Sequence, residues 1–327
     1  MNPKRRLLLC AAALLLILAG IVAWRALRSA CTVSCPSGGG LPDPPYTETE
    51  RVMKAVSLSY LVYGCEACDV PTDPDGTLSG TVSELLDTCR MGIISENFGI
   101  RRTELQDPSS ALLDSAAFIR THTGPFRFLE SLKSGKSGFY GAAFCDDEQK
   151  CVWISYSGAV SLQDCLACAA LVLVPGLSAQ EASAFALFET VMGSREVQED
   201  GYTVLLTGHS LGGALAAAVS RASGCAAVTI NGADGLAIDK LNAILGAAPE
   251  EYRITNYMTS PKNGRFSLMD VVQRLMFLGS YRAADYRIYA ENGLTYDTHS
   301  VFSFIDPAEG GPSLPVPVER KSSPAGS

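Results

Sequence analysis

The segment 203–220, TVLLTGHSLGGALAAAVS, constrains the fold of this chain more than any other segment. Residues 203–207 are apolar at nearly every position, as expected for a central strand that is buried on both faces. An alanine-rich segment typical of a helix follows, separated from the strand only by a glycine-rich turn. A strand that leads directly into a helix is the repeating unit of a parallel sheet covered by helices.

The same alternation continues on both sides of this segment. Candidate strands are 139–144, 151–157, 203–207, 226–230, 252–258 and 285–290. Candidate helices are 47–64, 109–120, 178–197, 210–222 and 266–277. The first helix begins with a Thr47–Glu50 capping box and is predicted to end on Gly64. We therefore predict an α/β fold with a mainly parallel central sheet, helices on both faces and a helical N-terminal part.

The N-terminal residues 1–30 form a separate unit. Three basic residues precede an uncharged apolar run at 7–24, two more follow it, and no acidic residue is present. The run approaches the length that crosses a bilayer, and no convincing cleavage site follows. We predict an uncleaved signal-anchor, with a cleaved signal peptide as the alternative. The basic flank places the N-terminus in the cytoplasm and the rest outside it, anchored to the membrane or secreted.

The remaining boundaries follow from composition. Residues 31–46 include a Pro- and Gly-rich linker. Residues 47–305 are predicted to form one domain, and residues 306–327 are predicted to be a disordered tail. Without residues 1–30, the chain carries 21 basic against 34 acidic side chains. This excess of negative charge disfavours nucleic acid as a partner.

Ten cysteines lie in the part predicted to be exported. An even number in such a chain predicts about five disulfides. The alternative is a metal site built from two C-x-x-C pairs, Cys65/Cys68 and Cys165/Cys168. These pairs lie about a hundred residues apart with no histidine close to either, a spacing unlike that of zinc ribbons. No metal ion and no organic cofactor is predicted.

The turn after the first strand of the opening segment has the pattern of a nucleophile elbow. Ser210 stands between Gly208 and Gly212, directly after a strand and directly before a helix. In such an elbow the bend is too tight for larger neighbours, and the serine projects from the carboxyl edge of the sheet. The N–H of Leu211 would then face a developing oxyanion, aided by the helix dipole. A glycine-rich turn without catalytic role is the alternative.

A nucleophilic serine needs a base, and the chain has three histidines. His209 adjoins the serine, so its side chain is expected to diverge from it. His122 precedes the sheet region and is predicted to lie in a surface loop. His299 follows the last predicted strand, where a loop at the carboxyl edge is expected. We therefore predict that His299 is the base, with His122 as the alternative.

The base in turn needs a carboxylate that orients its imidazole. By order along the chain the possible residues are Asp270, Asp234, Asp285 and Asp297. Asp285 opens a predicted strand at the wrong end, and Asp297 is too close to the base in sequence. Asp270 gives the order serine, aspartate, histidine found in α/β-hydrolases.

Several segments together resemble the class 3 (fungal-type) lipases, a branch of the α/β-hydrolase fold. The segment GHSLGG at 208–213 is similar to the nucleophile motif of that family, and VTINGADGL at 228–236 is similar to its next strand and glycine turn. DVVQRL at 270–275 resembles its acid motif, with Gln273 in place of the usual proline, and this match singles out Asp270. The segment 56–64 resembles the N-terminal helix of the family.

The resemblance implies that 153–161 (WISYSGAVS) supplies a second oxyanion N–H, from Ala159. Family members usually have Thr or Ser there, so a hydroxyl is lost unless Ser161 replaces it. The implied activity is hydrolysis of carboxylic esters, most simply acylglycerol-type lipid esters, through an acyl-enzyme. Activity on phospholipids, small esters or thioesters is an alternative, and so is an inactive hydrolase fold that acts as a cell-envelope binding protein.

Overall fold

In the computed structural model the described residues are 45–67, 80–88, 115–135, 137–158, 179–232, 253–260, 285–290, 305–306 and 311–312. They form a seven-stranded sheet whose strands are arranged in chain order. Its strands are β1 (Arg127–Ser134), β2 (Phe139–Asp146), β3 (Cys151–Tyr156), β4 (Thr203–His209), β5 (Ala226–Ile230), β6 (Ile254–Ser260) and β7 (Asp285–Ala290). Strands β1, β2 and β3 pair antiparallel, and β3 to β7 pair parallel.

Six of the seven strands were predicted from the sequence, and the prediction of a mainly parallel sheet is confirmed. Strand β1 was missed. Its sequence, RFLESLKS, carries charged residues among only three apolar ones, and most of its side chains are partly exposed. Charged, half-exposed residues are typical of a strand at the edge of a sheet, where they discourage pairing with another chain. A short antiparallel ladder of β8 (Ile305–Asp306) and β9 (Gly311–Pro312) lies partly within 306–327, the segment predicted to be a disordered tail.

The described helices are α1 (Glu48–Ala67), α2 (Val82–Thr88), α3 (Ser115–Thr123), α4 (Ala179–Met192), α5 (Arg195–Gln198) and α6 (Leu211–Ser223). Because β3, β4 and β5 follow chain order and crossovers are right-handed, the helices that connect these three strands must lie on one face. Helices α4 and α6 pack there against β2, β3 and β4. The opposite face is covered by α1, α2 and α3 from the N-terminal part. The prediction of helices on both faces is therefore confirmed.

Three predicted helix features need correction. The predicted helix 178–197 is divided into α4 and α5 by Gly193 and Ser194. Helix α1 does not end at Gly64 but continues to Ala67, and Gly64 and Cys65 are buried. His122 lies in α3 rather than in a surface loop. The capping box of α1 is confirmed, since the Thr47 N–H donates to Glu50 Oε2 at 2.8 Å.

The parallel strands define two edges of the sheet. Their first residues, among them Cys151 of β3 and Thr203 of β4, pair at what we call the amino edge. Their last residues, such as Tyr156 and His209, lie at the carboxyl edge. Asp146 ends the antiparallel strand β2 and pairs with Cys151, so it lies at the amino edge as well. The two edges are about 20 Å apart, at about 3.3 Å per residue.

Helix α1 runs along the sheet from the amino edge to the carboxyl edge. Near its start, Lys54 Nζ lies 3.7 Å from Asp146 Oδ2. One turn further, the hydroxyls of Ser59 and Thr207 are 3.5 Å apart, which shows how closely the helix approaches β4. Near its end, Tyr63 is buried beside the last residue of β4. The helix therefore connects the two edges on one face of the sheet.

The prediction of about five disulfides among the ten cysteines outside the apolar run is wrong for Cys145 and Cys151, which carry free thiols. They lie on neighbouring strands but face opposite sides of the sheet, because Cys145 pairs with Val152 and side chains alternate along a strand. Burial raises the pKa of each thiol to about 12. Cys225 is disulfide-bonded. Six of the ten cysteines lie outside the described residues.

Within the described segments, none of the helices combines the length and apolar character needed to cross a bilayer. The predicted signal-anchor at 1–30 lies outside them.

Candidate active site

A single residue, Ser210, connects strand β4 to helix α6. Its backbone angles are φ 56° and ψ −120°, a region that residues with a side chain rarely adopt. Such a conformation costs about 1–3 kcal/mol and persists only where the surrounding structure imposes it. Two hydrogen bonds hold it, since the Ser210 N–H donates to the Ile230 carbonyl at 3.1 Å and its own carbonyl accepts from the Ala214 N–H at 3.1 Å.

The glycines around Ser210 are required by close backbone approach. A Cβ on Gly208 would collide with the backbone of Gly212 and lie 2.8 Å from the nitrogen of Gly213. A Cβ on Gly212 would collide with the Tyr156 carbonyl oxygen at the end of β3. The bend, the following helix and the neighbouring strand are therefore in contact through backbone atoms. Any side chain at 208 or 212 would push them apart.

Helix α6 begins immediately after the serine and lies close to the sheet. A Cβ on Gly213 would lie 2.6 Å from the Cα of Gly232, which follows β5. Ala214 and Ala217 are buried against the sheet, as expected from their small size. The first N–H groups of a helix, including that of Leu211, have no acceptor within the helix, and its N-terminus attracts negative charge. The arrangement therefore offers hydrogen-bond donors to an anion that forms beside Ser210 Oγ.

The turn after β5 is held by a side chain that the sequence does not single out. Asn256 of β6 accepts a hydrogen bond from the Gly232 N–H at 3.1 Å and donates to its carbonyl at 3.0 Å. The preceding residue, Asn231, has a positive φ of 44°, and its N–H donates to the Tyr257 carbonyl at 2.7 Å. These bonds fix the glycine against which the start of α6 packs.

His209 and Tyr63 form a buried pair directly behind the serine. His209 Nδ1 and the Tyr63 hydroxyl are hydrogen-bonded at 2.9 Å. The two rings meet nearly edge to face, with centroids 6.0 Å apart. His209 is 4% exposed, and its imidazole is buried between the sheet and α1. Sequence reasoning missed the contribution of Tyr63, since no signal in the residues of α1 marks it.

The second histidine, His122, is far from the serine. Lys54 Nζ donates to its backbone carbonyl at 3.2 Å, and the same nitrogen lies 3.7 Å from Asp146 Oδ2 at the amino edge. The His122 ring packs on Phe118, with centroids 4.5 Å apart. Burial, with the nearby Lys54 charge, lowers its pKa below the ordinary histidine value. His122 therefore lies at the edge opposite to Ser210 and cannot take its proton.

Of the four aspartates considered as partners of the base, one lies within the described residues. Asp285 pairs with Thr255 at the start of β7, which is the amino edge, as expected from the sequence. Asp270, Asp234 and Asp297 lie outside the described residues, as do His299, Ala159 and Ser161. In the part of the chain that is described, no group of three or more His, Cys, Asp or Glu side chains could hold a metal ion.

No protein-family profile and no curated protein sequence matches this chain. Several solved structures of fungal lipases are similar to it. A mono- and diacylglycerol lipase from Aspergillus oryzae has 14% identity and a TM-score of 0.38, covering 66% of this chain and 72% of that one. The triacylglyceride lipase of Rhizomucor miehei has 14% identity and a TM-score of 0.35, with coverages of 64% and 70%. A Yarrowia lipolytica lipase has 14% identity and a TM-score of 0.36, with coverages of 64% and 71%.

The fold itself is defined by the described residues: a mainly parallel sheet, helices on both faces, and a strained serine between a central strand and a helix at the carboxyl edge. This is the architecture of an α/β-hydrolase.

Proposed function

We propose that this protein is a serine hydrolase that cleaves carboxylic esters. The observation that carries the proposal is the conformation of Ser210, held at φ 56° and ψ −120° between β4 and α6 at the carboxyl edge of the sheet. A turn needs no such strain, and glycine would relieve it. Retaining a serine there is expected where its hydroxyl must project from the bend beside the helix N-terminus.

In the proposed reaction, Ser210 Oγ attacks the ester carbonyl carbon while His299 accepts the hydroxyl proton. The tetrahedral intermediate carries its negative charge on the former carbonyl oxygen, where the N–H groups of Leu211 and Ala159 stabilise it. The carbon–oxygen bond to the alcohol then breaks, and His299 returns the proton to the leaving alcohol. Water, activated by His299, hydrolyses the acyl-enzyme and regenerates Ser210. Asp270 orients His299 and stabilises its charged form.

The choice of His299 as the base is supported by the positions of the other two histidines. His122 lies at the amino edge, and His209 is bonded to Tyr63 through Nδ1. The chain has three histidines in total. A base for Ser210 must reach its hydroxyl directly or through one water molecule.

The choice of Ala159 is supported by the residue before it. A Cβ on Gly158 would lie 2.7 Å from the His209 carbonyl oxygen, so the chain that leaves β3 passes directly beside the elbow. Ala159 is the next residue. Alanine keeps the backbone N–H but offers no hydroxyl, and one lost oxyanion donor lowers the rate by ~10²–10³. We therefore propose a weaker oxyanion site than a Thr or Ser would give.

The proposed substrates are lipid esters of the acylglycerol type, which is the class that the sequence resemblance implies. The proposed location is outside the cytoplasm, with the N-terminal segment as the link to a membrane. No cofactor takes part in the proposed chemistry.

A fluorophosphonate probe tests the proposal on the full chain, purified in mild detergent under oxidising conditions. Wild type should be labelled at Ser210, Ser210→Ala should not be, and His299→Ala should be labelled far more slowly. His122→Ala is the matched control and should be labelled like wild type. Equal labelling of Ser210→Ala would refute the proposal, and an unlabelled wild type would favour a binding protein with an inactive hydrolase fold. A series of p-nitrophenyl esters of increasing chain length then separates short esters from lipid esters.

A further inference from the structure

Tyr63 contacts both chain segments that meet beside the serine. Its hydroxyl is hydrogen-bonded to His209 Nδ1 at 2.9 Å, at the end of β4. A Cβ on Gly158, after the end of β3, would collide with the same hydroxyl. The Tyr63 side chain is 4% exposed. The hydroxyl of a residue from α1 therefore fills the gap between the ends of two neighbouring strands.

These two segments lead to the two proposed oxyanion donors. Gly158 is followed by Ala159, and His209 is followed by Ser210 and Leu211. Oxyanion stabilisation requires both donors at about 2.7–3.1 Å from one oxygen position, so it depends on the distance between the segments. We infer that Tyr63 is a positioning residue whose hydroxyl, between Gly158 and His209, sets the spacing of the two chain segments that lead to the proposed oxyanion donors. This inference rests on the proposed function.

The decisive variant is Tyr63→Phe, which removes one oxygen atom and keeps the buried ring. The spacing of the donors matters most when the charge develops in the transition state. We therefore expect kcat for a p-nitrophenyl ester to fall by about tenfold to a hundredfold, since small misplacements can cost ~10²-fold. KM should change by less than about twofold. A residue that only supported the fold would lower the yield or the melting temperature without this separation of kcat from KM.

Tyr46→Phe is the matched control. The Tyr46 hydroxyl donates to Asp146 Oδ2 at 2.8 Å and accepts from Trp153 Nε1 at 3.3 Å. It is also a buried phenol on the α1 side of the sheet, but it lies at the amino edge. Its loss should lower the melting temperature while kcat stays within about twofold of wild type.

A spectroscopic readout reports the contact independently of turnover. The chain contains three histidines, so ¹⁵N-histidine labelling gives a small set of imidazole signals that single variants can assign. Tyr63→Phe should shift the His209 Nδ1 signal and leave that of His122 unchanged. Tyr46→Phe should leave the His209 signal unchanged.

A second variant approaches the same gap from the other strand. Gly158→Ala places a methyl group against the Tyr63 hydroxyl and should also lower kcat more than it raises KM. In the Tyr63→Phe background its additional effect should be smaller, because the closest colliding atom is gone.

The outcomes separate the two proposals. A wild type that the fluorophosphonate probe does not label overturns the proposed function and this inference with it. If the wild type is labelled, three results overturn the inference about Tyr63 and leave the proposed function standing. These are full kcat in Tyr63→Phe, a change in KM only, or an equal loss of kcat in Tyr46→Phe.

Discussion

Glycine at position 210 is expected to make the folded protein more stable than alanine does. Both substitutions remove the hydroxyl, but only alanine keeps the Cβ that disfavours φ 56° and ψ −120°. Relief of this strain stabilises the folded state by about 1–3 kcal/mol. The greater freedom of glycine in the unfolded chain offsets about 0.5–1 kcal/mol of it. The expected advantage of Ser210→Gly over Ser210→Ala is therefore about 1 kcal/mol.

Helix α4 supplies a matched comparison with the opposite expected sign. Ser183 lies inside α4, where its hydroxyl donates to the Ala179 carbonyl at 3.1 Å. At an ordinary helical position glycine is less favourable than alanine by about 1 kcal/mol. Ser183→Gly should therefore be less stable than Ser183→Ala.

Thermal and urea unfolding of the four variants, followed by circular dichroism, measure these differences. For a domain of this size, 1 kcal/mol corresponds to about 2–4 °C in melting temperature. The quantity to compare is the stability lost when alanine is replaced by glycine at each position. If this loss is as large at position 210 as at position 183, the bend at Ser210 is not strained. A serine at position 210 would then need no catalytic explanation.

Three further substitutions or conditions test the packing around the site. Gly212→Ala should lower stability by about 1–3 kcal/mol and slow fluorophosphonate labelling by ~10²-fold. Gly135→Ala is the control and should do neither, because its Cβ would meet no atom within 4 Å. Asn256→Ala should cost about 2–4 kcal/mol in urea unfolding, because it leaves the buried N–H and carbonyl of Gly232 without their partner; an unchanged midpoint would contradict this. The Cys151 thiol, whose pKa burial raises from 9.0 to about 12, should stabilise the folded protein below about pH 9 and lose that contribution progressively up to about pH 12. Cys151→Ala should lose less stability between about pH 9 and about pH 12 than the wild type does. Identical pH profiles of the two proteins would contradict the raised pKa of the Cys151 thiol.

The sequence predicts the sheet well where strands are buried and alternate with helices. Strands β2 to β5 carry apolar or β-branched runs, and β6 and β7 carry β-branched and aromatic residues between polar ones. Strand β1 has an edge-strand composition and was missed. The start of α1 is predictable because Thr47 and Glu50 form a local capping box. Its end is not, because Gly64 is buried within the helix instead of ending it, and that burial depends on packing partners distant in sequence.

The site is predictable only to the extent that it is local. The bend at Ser210 is set by Gly208 and Gly212, which lie within two residues of it, and these three residues form a recognisable pattern. The contacts of Tyr63 and Asn256 join residues that are distant in sequence. Tyr63 lies 146 positions from His209, and the polar side chain of Asn256 in an otherwise ordinary strand gives no sign of the turn it holds. Such contacts follow from strand order and packing, which no short motif encodes.

The order of the strands explains why the N-terminal helix takes part in the site. Right-handed crossovers in a sheet that grows in one direction place α4 and α6 on the same face. The opposite face must be covered by a segment outside these crossovers, and α1 is the long helix that reaches both edges. Among the elements that the structure describes, α6 occupies the other face, so a side chain enters the gap between the ends of β3 and β4 from the α1 face. A tyrosine near the end of α1 is therefore placed by topology beside the serine, although 146 residues separate it from its partner in β4.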